Sequence, residues 1–155
     1  MSPRPALARL PLVLGLLLLL AACALKTGRL AEADRLREAG EWPAADAAYS
    51  RVVAAPDNDR ELAAAFYYRG LCRLQQGLAE AAYTDFLASR TMACVLNKED
   101  QSNRAGNLTL PMSSLCRELT AEGLADSGKS LSSDLKAESA AKAEFLVPPA
   151  YRKSN

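Results

Sequence analysis

The chain has 155 residues, 19 Lys and Arg against 18 Asp and Glu, 50 % hydrophobic but only 6 % aromatic content, and no histidine. It is one domain's worth of chain, with no basic excess to hold nucleic acid. The missing histidine removes the commonest general base and the commonest metal ligand together, so Ser-His and Cys-His nucleophiles are excluded and neither a metal nor a cofactor is expected.

Arg4 and Arg9 precede an apolar run from Leu10 to Leu25, whose 16 residues fall short of a membrane span. A spanning helix needs about 20. A charged start and a short apolar core have the composition of a secretory signal, an uncleaved anchor helix being the alternative. The run contains Leu20-Ala21-Ala22-Cys23, which resembles the lipobox of bacterial lipoproteins. The resemblance implies that residues 1–22 are a signal peptide, that Cys23 is acylated as the mature N-terminus, and that 23–29 form a lipidated tether. Ala24 follows the cysteine, where aspartate favours inner-membrane retention in such lipoproteins. The implied location is the outer membrane, facing the periplasm. Without residues 1–22 the balance is 17 basic to 18 acidic residues, so the acyl chains on Cys23 carry the membrane attachment.

A helical pattern follows, with Leu30, Ala33 and Leu36 on one stripe, and Gly40 ends it. Pro43 opens a second helix carrying Ala45, Ala48, Tyr49, Val52 and Val53, which breaks at Pro56. Asn58, with Glu61 three residues on, is similar to a capping box and starts a third helix from about Asp59 to Gln76, stopped by Gly77. A fourth starts near Ala79 and carries Ala82, Phe86 and Leu87 towards Met92 and Val95. The polar stretch that follows is predicted as a loop over 96–110. Pro111 opens a helix with Leu115 and Leu119 that ends near Gly123, and residues 126–133 are predicted as uncommitted chain. Leu135 to Phe145 reads as a last helix, stopped by Val147-Pro148-Pro149. The predicted fold is all-α.

The first four helices repeat. Ala33 and Gly70, Gly40 and Gly77, Ala45 and Ala82, and Tyr49 and Phe86 are each 37 residues apart, as a duplicated helix pair requires. Alanine or glycine lets the two helices of a pair approach closely, and the aromatic fills the space against the next pair. The spacing within each unit resembles the tetratricopeptide repeat, with Pro56 as its closing proline. The resemblance covers about residues 28–95 and departs from the family where tryptophan and leucine are expected, at Arg29 and Glu32 and at Phe66 and Arg69. It implies two stacked hairpins over 30–95. Since solenoids of this kind need about three units, residues 111–147 are expected to form a degenerate capping hairpin, with a tail of uncertain order over 148–155. An unrelated four-helix bundle is the competing fold.

Three cysteines remain beside Cys23. Cys72 reads as a buried small apolar residue. Cys94 and Cys116 flank the polar loop and are candidates to pair, a connectivity sequence cannot settle. Glu32, Glu38, Glu41, Glu61, Glu80 and Asp85 fall on faces that read as solvated, interleaved with arginine, so no catalytic residue is assigned. In tetratricopeptide proteins the face holding Tyr67, Leu71, Leu74 and Gln75 lines a concave groove for a partner peptide. The matching positions of the first unit are Leu30, Asp34, Arg37 and Glu38. An aromatic with a polar tip beside arginine is a binding hot spot, unless Tyr67 packs instead against the C-terminal hairpin. The implied function is a non-catalytic adaptor in a cell-envelope assembly, with an unidentified envelope protein as partner. A cell-wall enzyme-activating subunit and a purely structural lipoprotein are the alternatives.

Overall fold

A computed structural model of the chain describes residues 28–103 and 111–152, the side chains of 100–103 excepted. The expected signal peptide, Cys23 and the stretch 104–110 lie outside them. Every described element is helical, with no strand among them. Helix α1 occupies residues 28–38, followed by α2 (Trp42–Ala54), α3 (Asp59–Gln75) and α4 (Ala79–Asn103). Met112–Ser114, a π-helical turn Leu115–Leu119, and Thr120–Gly128 run together as one helix, α5; α6 is Ser133–Leu146, and a 3-10 turn covers Pro149–Tyr151.

Local chemistry sets the boundaries. Gly40 and Gly77 both have φ of 75°, a left-handed conformation that side chains resist. Across each glycine the chain makes the same closing bond: Glu41 N–H donates to the Leu36 carbonyl (3.0 Å) and Leu78 N–H to that of Arg73 (2.9 Å). The next helix then opens identically, Ala45 N–H bonding to Glu41 and Ala82 N–H to Leu78. Asn58 caps α3 by accepting from Glu61 N–H at 2.9 Å, while the Glu61 carboxylate accepts from Asp57 N–H. Ser132 caps α6 through Leu135 N–H.

Helix α3 packs on α2 and α4, and α4 in turn carries α5 and α6. The residues sharing the 37-residue offset are all at close approaches or turns. Ala33, Ala45, Ala82, Tyr49 and Phe86 are completely buried, and a Cβ on Gly70 would lie 2.8 Å from the Phe86 ring. One core cluster centres on Tyr49, with Ala33, Ala45, Val52 and Cys72. The other gathers around Phe66, Phe86, Met92 and Leu115 and takes in Ala143 and Val147 of the C-terminal segment.

The second half departs from expectation at three places. Helix α4 does not end before the polar stretch but continues through it to Asn103. Residues 97–103 hold neither glycine nor proline, and Lys, Glu, Asp and Gln are polar without being helix breakers. Gly123 does not end a helix: it sits inside α5, which continues to Gly128 and shortens the expected uncommitted segment to the turn before α6. Its role is proximity, since a Cβ there would lie 2.7 Å from Phe86, on a ring that Gly70 also touches. The start of the tail is also fixed, because Tyr151 is buried and donates from its hydroxyl to Asp59 Oδ2 at 2.7 Å.

Candidate functional site

The predicted groove residues lie on α1 and α3, and on α1 they are tied to the core. The Tyr49 hydroxyl donates to Asp34 Oδ1 (2.5 Å) and accepts from Arg37 Nε (3.1 Å). Burial, and then the bond to Asp34, push the Tyr49 phenol well above its ordinary pKa. Arg37 also reaches Asp34 (3.7 Å) and Glu38 (3.6 Å), and its guanidinium lies over the Tyr68 ring, 4.6 Å from the centroid. Glu38 and Gln75 are exposed. Leu30, Leu71 and Leu74 are half-buried, Leu30 against the first cluster and the other two against the second.

Of the two expected placements Tyr67 takes the packed one, in the cluster that includes Leu115 and Val147 of the C-terminal segment. It is 8 % exposed, with its ring 5.9 Å from Phe86 and 5.3 Å from Tyr68. Most of it is core, so it offers a partner only its hydroxyl edge. The aromatic surface beside arginine belongs to Tyr68, which stacks on Tyr49 at 5.8 Å. Consecutive residues on α3 point some 100° apart, so sequence could show that Tyr67 and Tyr68 diverge but not which one meets α1. Across from them lies α5, whose Glu122 raises the Tyr67 pKa further, after burial and the neighbouring Tyr68.

A second constellation went unread in the sequence. Asp85, expected on a solvated face, is completely buried. Its carboxylate accepts from Arg69 Nε (2.9 Å) and Nη2 (2.7 Å), and from Arg73 Nη1 (2.9 Å). Arg73 Nε continues to Asp46 on α2 at 3.2 Å, and Arg69 Nη1 to Ser50 Oγ at 3.2 Å. Burial pushes the Asp85 carboxyl up, and the bond and charge of Arg69, with the charge of Arg73, hold it down. Two guanidiniums and two carboxylates make a neutral lattice across α2, α3 and α4. The available signal was arginine at 69 and 73, one helical turn apart, on a helix whose neighbours are Ala, Phe, Leu and Cys. The lattice joins three helices and so fixes how they pack, with Arg73 still 21 % exposed and lining the neighbouring cavity.

A cavity of about 850 Å³ opens between the α3–α4 turn and α6, lined by Leu78, Ala79, Thr84, Phe145 and Leu146 with Lys142 at its edge. Phe145 is 78 % exposed there, and Lys142 is held by Glu80 (2.7 Å) and Glu138 (2.9 Å). None of the predicted groove residues lines it.

Cys94 and Cys116 form a disulfide, with Cα atoms 4.7 Å apart, that joins α4 to the π-helical turn of α5. Cys72 is a free, buried thiol pushed up to about 11 by burial. Among the described residues no group of His, Cys, Asp or Glu is arranged to hold a metal, and no helix is long and apolar enough to cross a membrane. Compared with protein-family descriptions, curated proteins and solved structures, the chain matches none.

Proposed function

We propose that this chain is a lipid-anchored, non-catalytic adaptor of a bacterial cell envelope, with two tetratricopeptide-like hairpins and a capping pair holding a partner protein. The anchor is Cys23, acylated after removal of residues 1–22, and the location is the outer membrane facing the periplasm. The observation that carries the reading is the agreement between the 37-residue offset and the geometry at both copies. The glycines share one backbone conformation, the closing bonds are the same, and the small residues and aromatics are buried at matching positions. That is what a duplicated interaction module predicts. The Cys94–Cys116 bond supports an oxidising compartment such as the periplasm. The absence of histidine, the commonest general base, from the sequence favours binding over turnover.

The test is affinity purification from detergent-solubilised envelopes. Wild type is compared with a variant carrying Glu38→Lys and Gln75→Lys, both at exposed positions. A partner retained by wild type and lost from the variant is the expected result. Identical recoveries from both would remove the groove from the proposal. Intact mass of the mature protein, beside that of Cys23→Ser, tests the anchor: wild type is expected to carry the added acyl mass and Cys23→Ser to lack it.

A further inference from the structure

The 37-residue offset allows the two hairpin turns to be compared position by position. Two residues after Gly40 the first hairpin has Trp42, and two residues after Gly77 the second has Ala79. Trp42 is half-buried against the cluster of Tyr49, and a Cβ on Gly40 would meet its ring at 3.9 Å. A Cβ on Gly77 would meet nothing within 4 Å. The first copy therefore fills the space beside its turn with an indole of its own, and the second leaves the matching space open. That space belongs to the cavity of about 850 Å³ between the α3–α4 turn and α6, which both Gly77 and Ala79 line.

The walls of this cavity are apolar. Leu78, Phe145 and Leu146 are the large hydrophobic side chains left exposed among the described residues, by 48 %, 78 % and 42 %, and all three line it. One exposed apolar side chain is ordinary, whereas several gathered in one concavity mark a binding site. The volume falls in the range of small-molecule pockets, about 300–1,000 Å³. Polar side chains of the lining are already engaged within the protein. Arg73 holds Asp46 and Asp85, Lys142 holds Glu80 and Glu138, and Thr84 donates to the Glu80 carbonyl at 3.0 Å. Glu80 also stands in the first turn of α4, where its charge offsets the open N–H groups of the helix start. A charged ligand therefore finds no unmatched charge to bind. A peptide laid in the cavity would bring backbone N–H and C=O groups that the lining side chains are not free to satisfy. An alkyl chain has no such groups.

We infer that this cavity binds one alkyl chain, the tail of a single-chain lipid whose head stays in water beside Lys142. The tail lies against Leu78, Phe145 and Leu146, in the space whose counterpart Trp42 fills in the first hairpin. The inference goes beyond the adaptor reading, since the site lies apart from the groove residues and does not require acylation of Cys23.

Native mass spectrometry of the full chain, purified from envelopes in a steroid-based detergent, tests it by resolving bound molecules individually. The probes are palmitoyl lysophosphatidylcholine and palmitoyl lysophosphatidylglycerol, which share a tail and differ in head charge. One molecule of either is expected to bind each chain, saturably, with affinities within about 3-fold of each other. Ala79→Trp gives the second turn the indole of the first and is expected to weaken both adducts about 10-fold or more, with the thermal melt by circular dichroism unchanged. Phe145→Ser with Leu146→Ser removes two exposed walls and is expected to weaken them about 10-fold. An absence of adducts from wild type overturns the inference, as does adduct formation that neither variant reduces. Binding of the anionic lipid alone overturns the uncharged chemistry. Dimers that exclude the probes would assign the face to a second copy of the chain, and acylated protein that refuses a probe accepted by Cys23→Ser would assign the cavity to the chain's own lipid; either result overturns the proposal. The same spectra report the acyl mass on Cys23, so a missing anchor is distinguished from an empty cavity.

Discussion

Residue Phe86 is held between a glycine of α3 and a glycine of α5, each so close that a Cβ would come within 2.8 Å of the ring. Gly70→Ala and Gly123→Ala are each expected to cost about 1–3 kcal/mol through overpacking, despite the better helix propensity of alanine. Urea denaturation checks the size. A double-mutant cycle checks the cause, because shortening the ring with Phe86→Leu should remove most of the penalty at either glycine. Cys72 is the second residue-scale case. With its pKa pushed up to about 11 by burial, its thiol is protonated and shielded at pH 8. Iodoacetamide should leave Cys72 unmodified in the native protein and alkylate it in denaturant, as peptide mapping would show. The sign follows from the direction of the shift: the contribution to stability from holding the thiol protonated is complete below the unfolded value of 9.0 and is lost as pH rises through about 11.

Among the helices, α4 does most of the joining, and its polar link to α3 runs through Asp85. Replacing Asp85 with asparagine removes the charge that compensates Arg69, whose side chain is only 8 % exposed. The expected loss is about 3–5 kcal/mol. Asp85→Leu with Arg69→Met should recover much of it, since Arg73 keeps Asp46 and no charge is left stranded, and chemical denaturation of the two variants beside wild type distinguishes the outcomes. This lattice also shows where sequence legibility stops. The ends of α1, α2 and α3 and the start of α4 were readable because glycine, proline and capping residues act locally. The 37-residue offset was readable because its small and aromatic residues recur in step. Burial of Asp85 was not readable, since an isolated aspartate looks solvated until the helix bringing Arg69 to it is placed. Gly123 misled for the opposite reason: a glycine serving close packing looks in sequence like one serving as a stop. The rotation of α3 that puts Tyr68 rather than Tyr67 against Arg37 was not readable either.

For the molecule as a whole, the disulfide couples the two halves. Cys94 and Cys116 are 22 residues apart, and closing a loop of that size contributes about 3 kcal/mol by chain-entropy reckoning. The Cys94→Ser/Cys116→Ser variant is expected to lose about that much in urea. Faster amide exchange in α5 and α6 should accompany the loss, while Trp42, in the first hairpin's cluster, keeps its fluorescence maximum. Uniform exchange throughout would instead mean that the helices open as one unit. The bond from Tyr151 to Asp59 reaches back 92 residues to the head of α3, and Arg29 pairs with Asp57 at 3.8 Å in the turn just before it. The beginning of α1 and the close of the 3-10 turn therefore converge on one corner of the molecule. A short linker across that corner would make the helices a closed ring, which could be cut afresh elsewhere: circular permutation becomes a practical way to present the same surface from a new starting point.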